Sequence, residues 1–359
     1  MDVNTTKPSA LIVGGGIIGL ASAFRLARSG HAVTLFDPSV ARGATWAAAG
    51  MVAPSAEIAP GEQSNYQLQK QALQAWRDLS DELEAITGER LTISQPGTLL
   101  AGWDAGDRRL IEQFSLIAEQ FDAPMQRVTR RESPEIFVGL SPRMNDGLVM
   151  ADDAWLDPDE AVRLLRLALD ELGVTVIAER VVRISADASH VVAHTEHGEL
   201  RGDLGILATG SVPLPEGASP SGEHVVRPVR GVTVRVQGID RSDQPMIRAF
   251  VRGRAFYMVS RPGGYCVLGA TSEERAEPAV EVGELQRLLR DGLDVVPDLE
   301  SAVILEMRNG LRPASADLLP FFEHLGIDGW AWSSGHYRHG VTLAPIAART
   351  ALEFAESPA

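Results

Sequence analysis

A glycine-rich turn between an apolar strand and an apolar helix opens the chain. Residues 10–13 are all apolar, which is typical of a buried strand in a parallel sheet. The turn Gly-Gly-Gly-Ile-Ile-Gly at 14–19 comes next, and a helical pattern then continues to residue 30. A second short apolar run at 31–36 ends in Asp37. The pattern predicts a strand, a tight turn, a helix and a second strand that closes on an acid.

This unit has the form that binds the adenosine diphosphate half of a dinucleotide. Gly14 permits the tight turn, Gly16 lets the backbone approach a pyrophosphate, and Gly19 lets the helix pack closely on the strand. The first helical amides point at the phosphates, and Asp37 can accept hydrogen bonds from a ribose. Glycines also occur in ordinary turns between strands and helices, but here strand, helix and acid fall in register. The unit itself leaves open whether the dinucleotide is NAD or FAD.

The rest of the chain alternates between helical and strand patterns. Helices are predicted at about 63–87, 108–121, 161–172 and 282–293, with a final helix that ends near residue 356. Strands are predicted at 98–101, 174–177, 180–185, 190–195 and 203–207, and within 230–269. Asp157 is a natural N-cap for the helix that follows Pro158, and Pro345 is placed in the first turn of the final helix.

These elements predict an α/β fold with α+β insertions, in which a Rossmann-like nucleotide domain is joined to a β-rich substrate-binding domain. Residues 211–224 are rich in Pro, Gly and Ser and are expected to connect the two domains. The predicted nucleotide domain is discontinuous and comprises 1–88, 147–212 and 309–359. The predicted substrate-binding domain comprises 89–146 and 213–308.

Composition narrows the class of protein. The chain has 359 residues, 45% of them hydrophobic and 23% charged, which is a globular balance. A net charge of −15 argues against nucleic acid or an anionic membrane as a partner. The single cysteine, Cys266, excludes a disulfide within the chain, and a reducing, cytoplasmic compartment is expected. Neither a signal peptide nor an integral membrane segment is predicted.

A metal site is not predicted. His190, His194 and His197 lie close together in the sequence, but in a strand the first two share one face and the third points to the other. A polar hairpin surface is the preferred interpretation.

Other motifs then extend the pattern of the first turn. They are Thr45-Trp46-Ala47-Ala48-Ala49-Gly50-Met51, Ala208-Thr209-Gly210, Gly310-Leu311-Arg312-Pro313 and Gly335-His336-Tyr337-Arg338-His339-Gly340. Together they resemble the D-amino-acid oxidase superfamily of FAD enzymes, and within it the glycine oxidases of the thiamine-pathway type. The resemblance covers almost the whole chain and favours FAD, held without a covalent bond, over NAD.

The resemblance implies a set of cofactor contacts along the chain. They fall on Gly14, Gly16, Ile17, Ile18, Gly19, Asp37, Pro38, Ala44, Thr45, Trp46, Ala49, Gly50, Met51, Val181, Thr209, Gly210, His336, Tyr337, Arg338, His339, Gly340, Val341 and Thr342. Small side chains at 47–50 would let the backbone lie against a flat isoalloxazine ring. The start of the final helix carries a partial positive charge, which would stabilise a reduced flavin anion.

The resemblance also implies a substrate end. Arg312 matches the arginine that binds the substrate carboxylate, for which a planar guanidinium is well suited. Arg338 matches a second arginine on the substrate side, and Tyr257 matches an active-site tyrosine. Without the resemblance, Arg312 would be interpreted as a surface arginine and Tyr257 as part of a strand core. The alternative role for Arg338 is to order the loop around the flavin. No catalytic side chain is assigned, because hydride can leave Cα directly once the amine is neutral.

This chain departs from the family pattern at several positions. His339 stands where asparagine is usual, so a local hydrogen bond could become sensitive to pH. Ser272 stands where some glycine oxidases have methionine above the flavin, and a small polar residue there is expected to widen the pocket. Val212 and Pro213 replace the aromatic residue that often follows the turn at 208–210.

The resemblance implies oxidation of glycine, sarcosine or small D-amino acids, with O2 as electron acceptor and oxo acid, ammonia and H2O2 as products. It also implies that iminoacetate can supply the thiazole of thiamine, and that the protein is a homo-oligomer, a tetramer by analogy. Three alternatives stay open. They are a dehydrogenase of the same fold with another acceptor, an FAD-binding subunit without oxidase chemistry, and a nicotinamide dehydrogenase.

Overall fold

The structure is a computed structural model that describes residues 7–220, 222, 224–277 and 279–357. Its helices are α1 Ile17–Arg28, α2 Ala44–Ala47, α3 Gln63–Lys70, α4 Ala72–Thr87, α5 Ala105–Gln120, α6 Pro158–Glu171, α7 Val282–Val295 and α8 Gly340–Glu356. Its first ten strands are β1 Ala10–Val13, β2 Val33–Phe36, β3 Met51–Val52, β4 Ile93–Ser94, β5 Thr98–Gly102, β6 Gln126–Thr129, β7 Asp146–Met150, β8 Ala154–Leu156, β9 Thr175–Ile177 and β10 Arg183–Ala186. The others are β11 Val191–His194, β12 Glu199–Gly202, β13 Leu204–Leu207, β14 Arg227–Gln237, β15 Met246–Val251, β16 Arg254–Arg261, β17 Tyr265–Gly269, β18 Val303–Ala314, β19 Phe321–His324 and β20 Trp330–Ser334.

A six-stranded sheet in the order β19-β20-β13-β1-β2-β9 carries the glycine turn. Its strands are parallel except for the antiparallel pair β19 and β20. Helices α1, α4, α6 and α8 pack around one buried core that includes Phe24, Trp76 and Leu165. A second core, which includes Leu11 and Trp330, lies between this sheet and the antiparallel ladder β10-β11-β12. The sheet is therefore covered on both faces, as its near-continuous apolar strands require.

An eight-stranded sheet in the order β18-β14-β17-β16-β15-β5-β7-β6 forms the second layer. It is antiparallel except for the parallel pair β5 and β15. In the long pairing of β14 with β18, Arg312 lies opposite Val229 and Gly310 lies opposite Gly231. Tyr257 lies opposite Gly269 in the pairing of β16 with β17. Arg312 and Tyr257 are thus carried on two strands of the same sheet.

The predicted α/β class with a Rossmann-like unit is confirmed. The division into domains stays a proposal, and β7 and β18 both run across its predicted boundaries at 146/147 and 308/309. Residues 1–6, 358 and 359 of the proposed nucleotide domain lie outside the described residues, as do 221 and 223 of the predicted connection and 278 of the proposed substrate domain.

Two helical predictions differ from the structure for local reasons. The helix predicted at 63–87 is two helices, α3 and α4, which meet at Gln71. Helix α5 begins at Ala105, earlier than predicted, because Asp104 accepts bonds from the amides of Gly106 and Asp107 at 2.7 and 3.0 Å. Asp107 in turn accepts from the amide of Asp104 at 3.3 Å, which completes a capping box. The sequence signal for this helix start was Asp107, an acid three residues after the N-cap acid Asp104.

Pro345 lies in the second turn of α8 rather than the first, because the helix begins at Gly340. A proline has no N–H, so the carbonyl of Val341, four residues earlier, loses its helical partner. The buried indole of Trp76 on α4 donates to this carbonyl from Nε1 at 2.9 Å. The tryptophan thus compensates for a helix-breaking residue.

Trp76→Phe is therefore expected to lower the free energy of unfolding by about 2–4 kcal/mol, because a buried carbonyl loses its donor and a small void forms. Urea unfolding followed by circular dichroism measures the change. Pro345→Ala restores the helical donor, so the double variant should recover part of the loss. A double variant no more stable than Trp76→Phe would contradict this explanation.

Candidate active site

A cavity of about 500 Å³ lies where the glycine turn of the first sheet faces Arg312 and Tyr257 of the second. The predicted cofactor residues that line it are Gly14, Gly16, Ile17, Ile18, Asp37, Pro38, Ala44, Thr45, Ala49, Gly50, Met51, Val181, Thr209, Gly210, His336, Tyr337, Arg338, Gly340 and Val341. The predicted substrate residues Tyr257, Arg312 and Arg338 line the same cavity. Segments that are far apart in the sequence are thus brought to one space.

Four predicted cofactor residues do not line this cavity. A methyl group at Gly19 would lie 1.8 Å from the carbonyl oxygen of Gly14, so this glycine serves the packing of α1 on the turn. The ring of Trp46 lies instead against the guanidinium of Arg308, 5.3 Å from its centroid. Thr342 donates from Oγ1 to the carbonyl of Met51 at 3.1 Å, which ties α8 to β3.

The fourth, His339, is 1% exposed and lies behind the cavity wall, with Nδ1 3.3 Å from Oε2 of Glu57. Its ring nitrogens make no hydrogen bond of good geometry with the part of the chain that the structure describes. His339 therefore lies next to Glu57, and Glu57 lines the cavity.

The turn at one end of the cavity has the features of a ligand cradle. Gly16 has φ −71°, which any residue can adopt, and a methyl group there would meet only Thr45 Oγ1 within 4 Å, at 3.6 Å. No side chain caps α1 at Gly16, and the amide of Ile17 donates to Thr45 Oγ1 at 3.0 Å. Thr209 Oγ1 is buried beside the cavity and has no hydrogen-bond partner among the described residues. These features fit a polar ligand at the helix start.

Asp37 is already engaged in holding the turn. Its carboxylate accepts from the amide of Gly15 at 2.6 Å and from the amide of Ser39 at 2.7 Å. A carboxylate accepts about four hydrogen bonds, so a ribose contact remains compatible with these two.

Two glycines shape the opposite end of the cavity. A methyl group at Gly231 would lie 2.2 Å from Nη2 of Arg312, and one at Gly269 would lie 2.3 Å from the hydroxyl of Tyr257. Arg312 Nη1 lies 3.3 Å from the carbonyl oxygen of Thr271, and the guanidinium forms no ion pair with a carboxylate of the described residues. The positive charge of Arg312 is therefore available to an anionic ligand.

Tyr257 is set to donate a hydrogen bond. Burial raises the pKa of its phenol above the ordinary value of 10.0, although the positive charge of Arg312 acts in the opposite direction. The phenol therefore keeps its proton near neutral pH and can donate to a carboxylate beside Arg312.

Arg338 and Ser272 occupy different surroundings. Arg338 is exposed at the cavity rim, with its guanidinium 5.0 Å from the ring centroid of Tyr337. Ser272 is exposed and does not line the cavity, so its expected role in widening the pocket is not supported. Val212 and Pro213 both line the cavity in place of the usual aromatic residue.

Glu57 is a charged lining residue that sequence reasoning missed. It ends the turn after β3 and contacts Arg248 Nη1 through Oε1 at 3.1 Å. Burial pushes the pKa of Glu57 upward, but His339 and the positive charge of Arg248 hold it well below the usual range. Nothing in the spacing of Glu57 and Arg248, which are far apart in the chain, could have indicated this pair.

Burial of His336 makes the protein sensitive to acid. Burial and the nearby His339 lower the pKa of His336 from 6.5 to about 4. Between these values the unfolded chain binds the proton and the folded chain does not, so stability falls as the pH drops from about 6.5 to 4.

His336→Gln should therefore flatten the decline of the unfolding free energy across this range, as measured by urea unfolding at a series of pH values. The matched change is His197→Gln at an exposed histidine, and the slope of His336→Gln is compared with the slopes of this variant and of the natural protein. An unchanged slope in His336→Gln would contradict the assignment.

The three histidines considered for a metal each contact a different acid: His190 lies 3.8 Å from Asp187, His194 lies 3.4 Å from Glu199, and His197 lies 3.5 Å from Glu179. The described part of the chain contains no group of three His, Cys, Asp or Glu side chains arranged to hold a metal ion. It also contains no helix long and apolar enough to cross a membrane.

A parallel sheet with a glycine turn, joined to a second sheet that supplies Arg312 to the same cavity, is typical of a dinucleotide-binding oxidoreductase. The family profile described as DAO, FAD dependent oxidoreductase, matches residues 9–353. The chain therefore belongs to the DAO family of FAD-dependent oxidoreductases, and the family resemblance found in the motifs is confirmed.

Relatives within the family carry related names. The glycine oxidase of Geobacillus kaustophilus is 28% identical over 95% of this chain and 91% of its own length. The bifunctional protein ThiO/ThiG of Synechocystis is 30% identical over 96% of this chain, which spans only 51% of that protein. The crystal structure of the Geobacillus glycine oxidase superimposes with a TM-score of 0.87 at 26% identity, covering 98% of this chain and 95% of that one. An iminodiacetate oxidase from Chelativorans gives a TM-score of 0.81 at 25% identity, with 95% and 93% covered.

Proposed function

We propose that this protein catalyses the oxidative deamination of glycine and other small amines, including sarcosine and small D-amino acids. The observation that carries the proposal is the guanidinium of Arg312, which forms no ion pair with a carboxylate of the residues that the structure describes and opens on the cavity that also holds the glycine turn. Relatives named glycine oxidase support the same substrate class. The predicted substrate residues Tyr257, Arg312 and Arg338 all line this cavity, which supports the proposal.

The residues of the chain divide into a cofactor end and a substrate end. The turn at 14–18, Thr45 and Thr209 would hold FAD, and the buried Cys266 lies outside the cavity, which supports a non-covalent cofactor. FAD, when bound, would accept the hydride, with its electron pair, that leaves the substrate Cα. At the other end, Arg312 binds the carboxylate as a planar fork while Tyr257 donates to it, which fixes the direction of Cα.

The identity of the electron acceptor distinguishes the proposed oxidase from the alternative, a dehydrogenase. We propose O2, so that each substrate oxidised gives one H2O2, and hydrolysis of the imine gives the oxo acid and ammonia, or methylamine where the substrate is sarcosine. The alternative is a dehydrogenase of the same fold that passes electrons to another acceptor. The names of the oxidase relatives favour oxygen.

The test is a spectrum and a peroxide assay of the purified protein with glycine, sarcosine and both alanine enantiomers. A flavin spectrum, bleaching by glycine without oxygen and stoichiometric H2O2 in air support the proposal. Bleaching without peroxide in air indicates the dehydrogenase. A flavoprotein that no amine bleaches would indicate a non-catalytic subunit, and a colourless protein active with a nicotinamide would overturn the proposal.

Two further proposals rest on the relatives and on the family resemblance. We propose that iminoacetate from glycine supplies thiazole synthesis for thiamine, which the ThiO/ThiG relatives support; loss of the protein should then create a requirement for thiazole. We also propose a homo-oligomer, a tetramer by analogy. Exposed Val303, Ile304 and Leu305 on the edge strand β18 are suitable for such a contact, and sedimentation velocity measures the assembly.

A further inference from the structure

We propose that Glu57 binds the amino group of the substrate, with Arg248 and His339 holding its carboxylate in place. This inference rests on the proposed function, because it assumes an amino acid in the cavity. It adds a residue that neither the motifs nor the names of the relatives indicate. It also gives His339, which replaces the usual asparagine, a defined role.

Glu57 is carried on a turn that is fixed from two sides. Oxygens of Asp153 accept from the amides of Ser55 and Ala56 at 3.1 and 3.2 Å. Arg248 Nη1 donates to the carbonyl of Ala56 at 2.6 Å and to Glu57 itself at 3.1 Å. The side chain of Glu57 is only 12% exposed, and it nevertheless lines the cavity. A carboxylate held on this rigid turn is pre-organised to receive a ligand.

The cavity thus contains groups that match both ends of a small amino acid. Arg312, Tyr257 and Arg338 can bind a carboxylate, while Glu57 is an acceptor for an amine. Arg248 donates to one oxygen of Glu57, and Nδ1 of His339 lies 3.3 Å from the other without good hydrogen-bond geometry. Because a carboxylate has roughly four acceptor positions, some remain for the N–H groups of an amine. A purely structural partner of Arg248 would have no need to reach the cavity.

His339 acts as a positioning residue through the second oxygen of Glu57. Its Nδ1 lies 3.3 Å from Oε2 and restricts the positions that this oxygen can take in the cavity. Other groups around the pair are Arg248 on β15, Arg338 and His336 in the loop before α8, Asp153 after β7 and Tyr257 on β16. His339 also helps to lower the pKa of His336, so a change at His339 alters the surroundings of His336 as well.

The first experiment compares glycine with acetate, which has the carboxylate but lacks the amine. Acetate affinity is measured from the change in the flavin spectrum of the holoenzyme, and glycine affinity from the concentration dependence of anaerobic bleaching. We expect Glu57→Gln to weaken glycine by about 10–100-fold and to leave acetate unchanged or slightly tighter. Equal changes for both ligands, or no change for glycine, would overturn the inference.

Two further variants test the inference in case Glu57→Gln does not retain flavin. Glu57→Asp keeps the charge and should retain a measurable preference for glycine over acetate. His339→Asn keeps Glu57 and removes the ring beside its second oxygen, so the affinity for glycine should change by a larger factor than the affinity for acetate. Equal changes for both ligands in His339→Asn, or no change for either, would contradict the positioning role of His339.

Failure of the inference can be told apart from failure of the proposed function. If acetate does not bind to the natural holoenzyme and glycine does not bleach it, the proposed function is wrong whatever Glu57 does. If the natural holoenzyme binds acetate and is bleached by glycine, but Glu57→Gln keeps the same ratio of glycine affinity to acetate affinity, then only the role of Glu57 is wrong.

Discussion

Arg312→Met is expected to lower kcat/KM for glycine by about 10²–10⁴-fold. Two charge-assisted hydrogen bonds to the substrate carboxylate are lost, each contributing about 1.5–3 kcal/mol. Because Arg312 forms no ion pair within the described chain, its removal leaves no carboxylate of the protein uncompensated. Folding and flavin content should therefore be preserved. The measurement is steady-state oxidation of glycine, with flavin content determined from the spectrum.

The geometry of Arg312 can be tested without removing its charge. Gly231→Ala places a methyl group where Nη2 of Arg312 now lies, at 2.2 Å, so the guanidinium must move. We expect this variant to lose activity in the same direction as Arg312→Met. The controls are Arg109→Met on the exposed face of α5 and Gly198→Ala, which meets nothing within 4 Å. Full activity in Gly231→Ala and Arg312→Met would contradict the assignment of Arg312.

The glycine turn could be predicted from the sequence because its determinants are local. An apolar strand, glycines that allow a tight turn and an apolar helix are all contained in adjacent residues, and the structure places them as expected. Helix α6 likewise begins with Asp157 as its N-cap and Pro158 in the first turn. The break between α3 and α4 at Gln71 could not be predicted, because no glycine, proline or side-chain cap marks it in the sequence.

Prediction of the candidate site depended on the longer motifs and on tertiary contacts, not on local patterns of hydrophobic residues. Arg312 is one of many arginines, and its local sequence does not separate it from those that pair with acids, such as Arg230 with Glu273 at 2.8 Å. Only the motif around it singled it out. Glu57 and His339 could not be paired from the sequence, because the contact depends on how β3 and the start of α8 pack. Contacts between distant segments require the tertiary fold.

The second large effect is expected at the cofactor end, where Gly16→Val should fold normally and fail to retain FAD. With φ −71°, Gly16 has no backbone need to be glycine, and the methyl position is open apart from Thr45 Oγ1 at 3.6 Å. We therefore expect the unfolding free energy of the apoprotein to change by about 1 kcal/mol or less. A valine side chain would occupy cavity space beside the helix start, where a pyrophosphate would otherwise accept amide hydrogen bonds.

Loss of two or three such bonds, at about 1.5–3 kcal/mol each, predicts a fall in FAD affinity of at least about 100-fold. Quenching of flavin fluorescence on titration of the apoprotein measures this affinity. Gly19→Ala provides the contrast, because a methyl group there would lie 1.8 Å from the carbonyl oxygen of Gly14 and should destabilise the fold itself. If Gly16→Val bound FAD as tightly as the natural protein, the cofactor would have to lie elsewhere, since a side chain at this position cannot avoid the space beside the turn.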